Sequence, residues 1–376
     1  MKASRWMVLS LWAIAGGVAA TDSDRIRPLA DMPTARAAHS ATRLPDGRVL
    51  LAGGCRADGC EEGMAGDAVL FDPARDAFEP AGSLQQARVG HRAVALADGS
   101  VLLMGGWSGE GATASVERFD PVAGTFQMHG QLLQARDAFT ATLLRDGRVL
   151  VVGGYADGDM RPLARAEIYD PATASSSATG DLGTARRSHT ATLLGDGSVL
   201  IAGGSDTRRS VTATLERFDP ATDGFLPAGT LAKARHKHAA VRMGDEVLFL
   251  GGAGIPEPDG YFVDTERWNA TTRETTPGPT LAEGRYKFLD AVVVLPDGDV
   301  LVAGGGRHAE RLDRGLVRFV RVRAALGVAL AFSTVTPLND GRILVAGGYD
   351  PDIRTRRSAW IYAPRDGSAI TLAHEF

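Results

Sequence analysis

The chain has 376 residues, with 41 Lys and Arg against 45 Asp and Glu, for a formal net charge of −4. So mild a balance excludes a general electrostatic affinity for nucleic acid or an anionic membrane surface. Apolar content of 44% suits a globular chain, while the 46 glycines are about twice the usual share and gather in turns and doublets.

Taken in order, the first element is a leader. Lys2 and Arg5 precede an apolar run from Trp6 to Ile14, and the small residues Ala15 to Ala20 follow. Val18-Ala19-Ala20 fits the small-residue rule for cleavage before Thr21, so residues 1–20 are expected to be a signal peptide, with export to the periplasm or beyond. The run is too short for a membrane span. Residues 21–376 are then one domain.

From Arg36 onward one pattern repeats. Its clearest copy is Arg186 to Gly204, where an apolar run closes at Leu193-Leu194, Asp196-Gly197 turns the chain, and Val199 to Ala202 return to Gly203-Gly204. Asp-Gly between apolar runs predicts a hairpin with positive φ at both turn residues. Copies end at Gly54, Gly106, Gly154 and Gly204, and weaker ones at Gly252, Gly305 and Gly348. Each copy carries four strand candidates, in the fourth His189–Leu194 (a), Val199–Ala202 (b), Ala213–Phe218 (c) and a segment around Phe225 (d). The b strands are apolar at consecutive positions, as strands buried on both faces are. Asp-Pro turns lie between c and d at Asp72-Pro73, Asp120-Pro121, Asp170-Pro171 and Asp219-Pro220.

After the first Gly-Gly pair, Cys55 and Cys60 enclose four loop residues. In an oxidising compartment they are expected to form a disulfide. A metal site is the alternative, but two thiols do not complete a tetrahedral shell.

The spacings between the closing glycines are 52, 48, 50, 48, 53 and 43 residues. A period near 50, the Gly-Gly doublet, the aromatic-Asp-Pro turn and the downstream Arg together resemble the kelch family, in the form found in bacterial exported proteins, over nearly all of residues 21–376. The resemblance implies an all-β fold: a seven-bladed kelch β-propeller with four-stranded antiparallel blades. Three blades depart from the pattern. The fifth has Gly244-Asp245 and Asn269 where Asp-Gly and the turn Asp stand elsewhere; the sixth lacks Asp-Pro; the seventh has Leu330 and Ser333 at the Arg and His positions. Ring closure has two candidates: Arg27 to Arg36, which resembles the d segment Phe78 to Arg88, and Ile370 to His374.

Up-and-down connectivity places the variable b–c loops and the d–a connections on one face, where binding is expected. The candidate residues are Trp107, Tyr155 and Tyr349, each directly after a Gly-Gly pair, with Tyr261 in a long late loop and Arg307, His308, Arg311 and Arg314 in the sixth blade. Arg36, Arg88, Arg136, Arg186 and Arg235, with His39, His91, His189 and His238 three residues on, read either as an anion- or metal-binding ring or as structural partners of Glu117, Glu167, Glu216 and Glu266. Repetition in every unit favours the structural role. No catalytic constellation, cofactor or metal site stands out. The expectation is an exported, non-enzymatic binding or scaffold protein for a glycan or protein partner, with neither nucleic acid nor an integral membrane span.

The family resemblance also implies alternatives. Its members include a copper oxidase and a sialic-acid mutarotase. An oxidase needs a Cys bonded to a copper-ligand Tyr, and here both cysteines share one loop. A mutarotase-like enzyme for an acidic sugar needs a proton-transfer carboxylate and a carboxylate-binding Arg, for which Arg307 and Glu310 are one pairing. An intracellular adaptor is expected to carry a further helical domain beside its repeats.

Overall fold

In every repeat the first two strands form a tight hairpin. In the fourth, Thr190–Leu193 pairs with Val199–Ala202, Thr190 opposite Ala202 and Leu193 opposite Val199. The turn differs from expectation. Gly197 is left-handed at φ +90°, but Asp196 is not among the positive-φ residues. Gly197 N–H donates to Leu194 O at 3.1 Å, and Leu194 N–H to Ser198 O at 2.8 Å. This is a three-residue loop, a type I turn closed by a left-handed glycine, which needs positive φ at one position only. The Asp earns its place differently: Asp196 Oδ1 accepts the Ser198 N–H at 3.0 Å. In the fifth blade Met243 pairs directly with Glu246, and Gly244 at φ +64° comes first, so reversing the dipeptide gives a two-residue turn of the type II′ kind.

The computed structural model describes residues 24–56, 63–156, 158–206, 210–255, 260–312 and 318–364. The expected signal peptide, Cys60, Arg314 and Ile370–His374 lie outside the described residues. Within them, 28 strands form seven four-stranded antiparallel sheets in chain order, with no helix. The fold is a seven-bladed β-propeller. The seventh blade takes its outer strand from the other end of the described chain: Arg25–Pro28 pairs with Ala359–Ala363, Arg25 opposite Ala363. Of the two closure candidates, the N-terminal segment fills the place.

The consecutive apolar residues of each b strand now have their reason. Leu50 and Ala52 pack with Val101 and Leu103 of the second blade, while Val49 and Leu51 pack with Leu344 and Ala346 of the seventh. Seven such clusters fill the seven gaps between blades. Each buried Val or Leu contributes about 1.5–3 kcal/mol, so the ring is held by its gaps. At the outer c–d turns Asp72 Oδ1 accepts the Ala74 N–H at 2.8 Å, and Asn269 does the same for Thr271 at 2.9 Å. The fifth blade therefore keeps this turn without the Asp.

The Gly-Gly doublet is a contact with the next blade. A Cβ on Gly153 (φ +63°) would lie 2.5 Å from Arg186 O and 2.8 Å from His189 Cε1. No side chain fits there.

Candidate functional site at the mouth of the central channel

The repeated Arg is a latch. Arg88, Arg136, Arg186, Arg235 and Arg285 are fully buried, and each donates to the carbonyl of the first residue of its own blade's Gly pair. Each also meets a buried glutamate, Glu117, Glu167, Glu216, Glu266 or Glu310, at 2.5–2.7 Å. The same carboxylates accept backbone N–H groups from the chain arriving from the blade before, as Glu117 does from Gln85 at 2.6 Å and Gln86 at 3.1 Å. The structural reading of these arginines stands. In the first blade Asp67 replaces the Glu, 3.1 Å from Arg36.

The histidines face the channel and tie blades together. His91 Nε2 bonds Ser40 Oγ at 2.9 Å, His189 bonds Thr140 at 2.9 Å, His238 bonds Thr190 at 3.0 Å, and His39 bonds Thr334 at 3.1 Å. Burial, then the nearby arginines, lowers His91 to about 3, and His39, His189 and His238 lie well below the ordinary range for the same leading cause. They are neutral hydrogen-bonding groups around a narrow channel of about 230 Å³.

One residue before each channel-facing position the backbone is left-handed, in all seven blades: Ala38, Gly90, Ala138, Ser188, Lys237, Lys287 and Phe332, with φ between 49° and 68°. In six of them the N–H donates to the carbonyl of the same position in the preceding blade, at 2.6–3.2 Å. The result is a hoop of hydrogen bonds around the channel entrance, interrupted once. Ala138 N–H turns instead to Asp137 Oδ1 at 2.7 Å, and Asp137 Oδ2 accepts the Tyr155 hydroxyl at 2.6 Å. Burial raises the Asp137 carboxyl above the usual range, opposed by its Tyr155 hydrogen bond, and Tyr155 is raised too, by burial and then by Asp137.

Above the hoop opens a cavity of about 760 Å³, within the range of small-molecule sites. Trp107, Tyr155 and Tyr349 line it, as expected for the b–c face. The Trp107 and Tyr155 rings lie 6.4 Å apart, and Arg187 caps Tyr155 at 5.6 Å from the ring centre. At the floor Arg92 reaches across the channel to Asp290 at 3.2 Å.

The other expected residues lie elsewhere. Tyr261, half exposed, stacks on Tyr286 at 4.9 Å and is not part of the cavity lining. Arg307 is exposed and also outside the lining; His308 lies against Glu283, its N–H donating to that carboxylate at 2.9 Å. Arg311 binds Asp24 (2.7 Å), Asp297 (2.5 Å) and Asp299 (2.5 Å) beside the a–b turn, at the opposite end of the blade. Three carboxylates already surround it, so it is a seam residue and not part of the b–c face. Glu310 is spent on Arg285 and does not face Arg307's solvent. Cys55 is buried near Trp107 and Tyr349; its expected bond to Cys60 lies outside the described residues.

Sequence reasoning missed Asp137, Arg187, Lys237 and Lys287. The signal was present: they occupy the two positions between the repeated Arg and the channel-facing His or Phe, which vary from blade to blade while their neighbours do not. Among the described residues no group of three or more His, Cys, Asp or Glu is placed to hold a metal ion, and no helix is long and apolar enough to cross a membrane.

Residues 88–128 match the kelch motif. No curated protein matches the sequence. Among solved structures, a fungal alcohol oxidase of the AA5 family in complex with copper is similar, with a TM-score of 0.71 and 17% identity over 92% of this chain and 76% of its own. At that identity the likeness is one of fold.

Proposed function

Because this chain is a kelch-repeat β-propeller, we propose that it is an exported binding module, non-enzymatic, that takes a glycan at the mouth of its central channel. The observation that carries this reading is the 760 Å³ cavity with Trp107, Tyr155 and Tyr349 in its wall. Aromatic faces suit sugar rings, and the charged groups at the rim suit their hydroxyls. Thermal shift of the protein starting at Thr21, against neutral, uronic, sialic and sulfated saccharides, tests it. A ligand at 100 times its Kd stabilises the fold by about 2.7 kcal/mol. Shifts that vanish in Trp107→Ala and Tyr155→Ala support the reading; a flat panel overturns it and leaves a protein partner. Export is tested by N-terminal mass analysis of protein from the cell envelope, where Thr21 is the expected first residue.

One arrangement favours a second reading, a mutarotase-like enzyme. Asp137, poised for proton transfer, and Arg187, a carboxylate partner, both line the mouth, in the roles first considered for Glu310 and Arg307. Accelerated anomer exchange by NMR, lost in Asp137→Asn, would support it. An oxidase-like activity has only the fold likeness behind it.

A further inference from the structure

Two blades cooperate to break the hoop. Gly90, at φ +68°, is its only residue without a side chain; the other six carry a Cβ at φ 49–56°, so the ring itself does not ask for glycine. A Cβ on Gly90 would lie 2.4 Å from Asp137 Oδ1. Blade two thus leaves out a side chain where a carboxylate of blade three stands in the ring. We propose that this break is a subsite for a secondary amide, so that the glycan taken at the mouth carries an N-acylated amino sugar. This rests on the glycan reading above and names the class of sugar.

Three observations carry it. First, the break leaves an acceptor at the cavity wall. At six hoop positions the carbonyl receives a backbone N–H from the next blade; the seventh carbonyl is that of Gly90. Its donor would be the Ala138 N–H, which Asp137 Oδ1 takes at 2.7 Å. Among the described residues no other backbone N–H reaches it. Gly90, Asp137 and Ala138 all line the cavity. Second, the carboxylate that causes the break is itself engaged. Its Oδ2 accepts the Tyr155 hydroxyl at 2.6 Å, so each oxygen already holds a donor and the bare acceptor is the neutral carbonyl. Everywhere else in the hoop that carbonyl binds a secondary amide N–H, and a ligand group that restores the link is one of the same kind. Third, the surroundings suit an acyl group. Val89, one residue before Gly90, exchanges both backbone hydrogen bonds with Trp107, at 2.8 and 2.9 Å, and packs with it in one apolar cluster. Both line the cavity. An acetamido group would donate its N–H to Gly90 O and lay its methyl against this wall, burying apolar surface that a sugar hydroxyl lacks.

The test is calorimetric titration with triacetylchitotriose and with cellotriose, which has the same linkage and a hydroxyl in place of each acetamido group. The acetylated trimer is expected to bind about tenfold tighter, as one neutral hydrogen bond and a buried methyl warrant. In Asp137→Ala the Ala138 N–H is released to Gly90 O, and the preference should vanish. A second measurement needs no ligand. Gly90→Ala drives a methyl into the carboxylate and should lower Tm by about 2–4 °C in the native chain. It should cost distinctly less in the Asp137→Ala background, where the obstacle is gone; equal losses in the two backgrounds would overturn the subsite. If the trimers bind alike, if the preference survives in Asp137→Ala, or if only another saccharide of the panel binds, the amide subsite is wrong and the glycan reading stands. If no saccharide binds, both fail. Tighter binding of the deacetylated trimer would put an ammonium in place of the amide, and equal binding of acetyl-trialanine amide would put a peptide in place of the sugar; either overturns the assignment.

Discussion

Replacing Glu167 by Leu tests whether the latch holds the blades. Glu167 Oε1 accepts from Arg136 Nη2 at 2.6 Å and Oε2 from Leu133 N–H at 2.6 Å, and both members of the pair are about 1% exposed. The substitution leaves a guanidinium buried with only neutral carbonyls for partners, those of Gly153, Arg165 and Gln134 at 2.7, 3.1 and 3.4 Å. An uncompensated buried charge costs about 3–5 kcal/mol, and the orphaned Leu133 N–H about 1 more. For a domain on the order of 340 residues, an unfolding entropy of roughly 2.1 cal/mol/K per residue makes 4 kcal/mol about a 6 °C loss in Tm. Arg136→Met alone strands the glutamate in the same way. The double variant strands neither charge, so its loss should fall short of the two singles added together by at least about 1 kcal/mol. Urea unfolding of the four proteins measures the cycle. Strict additivity, or a Glu167→Leu loss below about 1 kcal/mol, would refute the reasoning.

Stability should fall in mild acid. His39, His91, His189, His236 and His238 are all lowered by burial. Below their unfolded pKa the unfolded chain binds protons that the folded chain refuses. Their contribution is therefore complete above about pH 6.5 and drains as pH drops, by up to about 1.4 kcal/mol per pH unit for each His. For His91 and His236 the window runs down to about 3. His91→Phe, which copies Phe139 and Phe288 of blades three and six, should flatten the slope by one proton; a midpoint constant from pH 7 to 5 would contradict this. Gly153→Ala should cost ~3 kcal/mol or more, from backbone strain plus collision with Arg186 O and His189. Gly147→Ala, at φ +87° with nothing within 4 Å of a new methyl, should cost only ~1 kcal/mol; equal losses in urea unfolding would refute the doublet argument. The unreduced peptide spanning Cys55 and Cys60 should be lighter by the pair of hydrogens lost to a disulfide, and alkylation of native exported protein at either thiol would contradict the pairing.

The fold was legible because it is written seven times. Asp-Gly, Gly-Gly and the Arg–Glu latch each recur about every 50 residues, and repetition marks them as architecture. The Arg at the head of blade six escaped notice, although Arg285 makes the same latch with Glu310, because Gly284 and Tyr286 flank it in place of the usual neighbours. The site was half legible. Trp107, Tyr155 and Tyr349 stand out as aromatics behind a fixed marker. Lys237 and Lys287 do not, since nothing local says that a Lys one residue before a core His or Phe is left-handed and faces a cavity. That follows from the hoop, whose hydrogen bonds join residues roughly 50 apart. Arg311 misled for the opposite reason. Asp297 and Asp299 reach it from the a–b turn of its own blade, and Asp24 only when the ring closes, so sequence shows the charge without the pairing that neutralises it.

The closing seam has a consequence for assembly. Among the described strands Arg25–Pro28 is the earliest made and its partner Ala359–Ala363 the latest, so during synthesis or refolding the edge beside the seventh blade stands open until the early strand finds it. An open edge templates whatever strand arrives. The same four residues from a second molecule would satisfy it equally well. Two rings that trade these strands keep every blade intact and become a tethered pair. Refolding at rising concentration should therefore yield a growing fraction of strand-exchanged dimers, each half native in spectrum and in ligand binding, that part only when the propellers reopen.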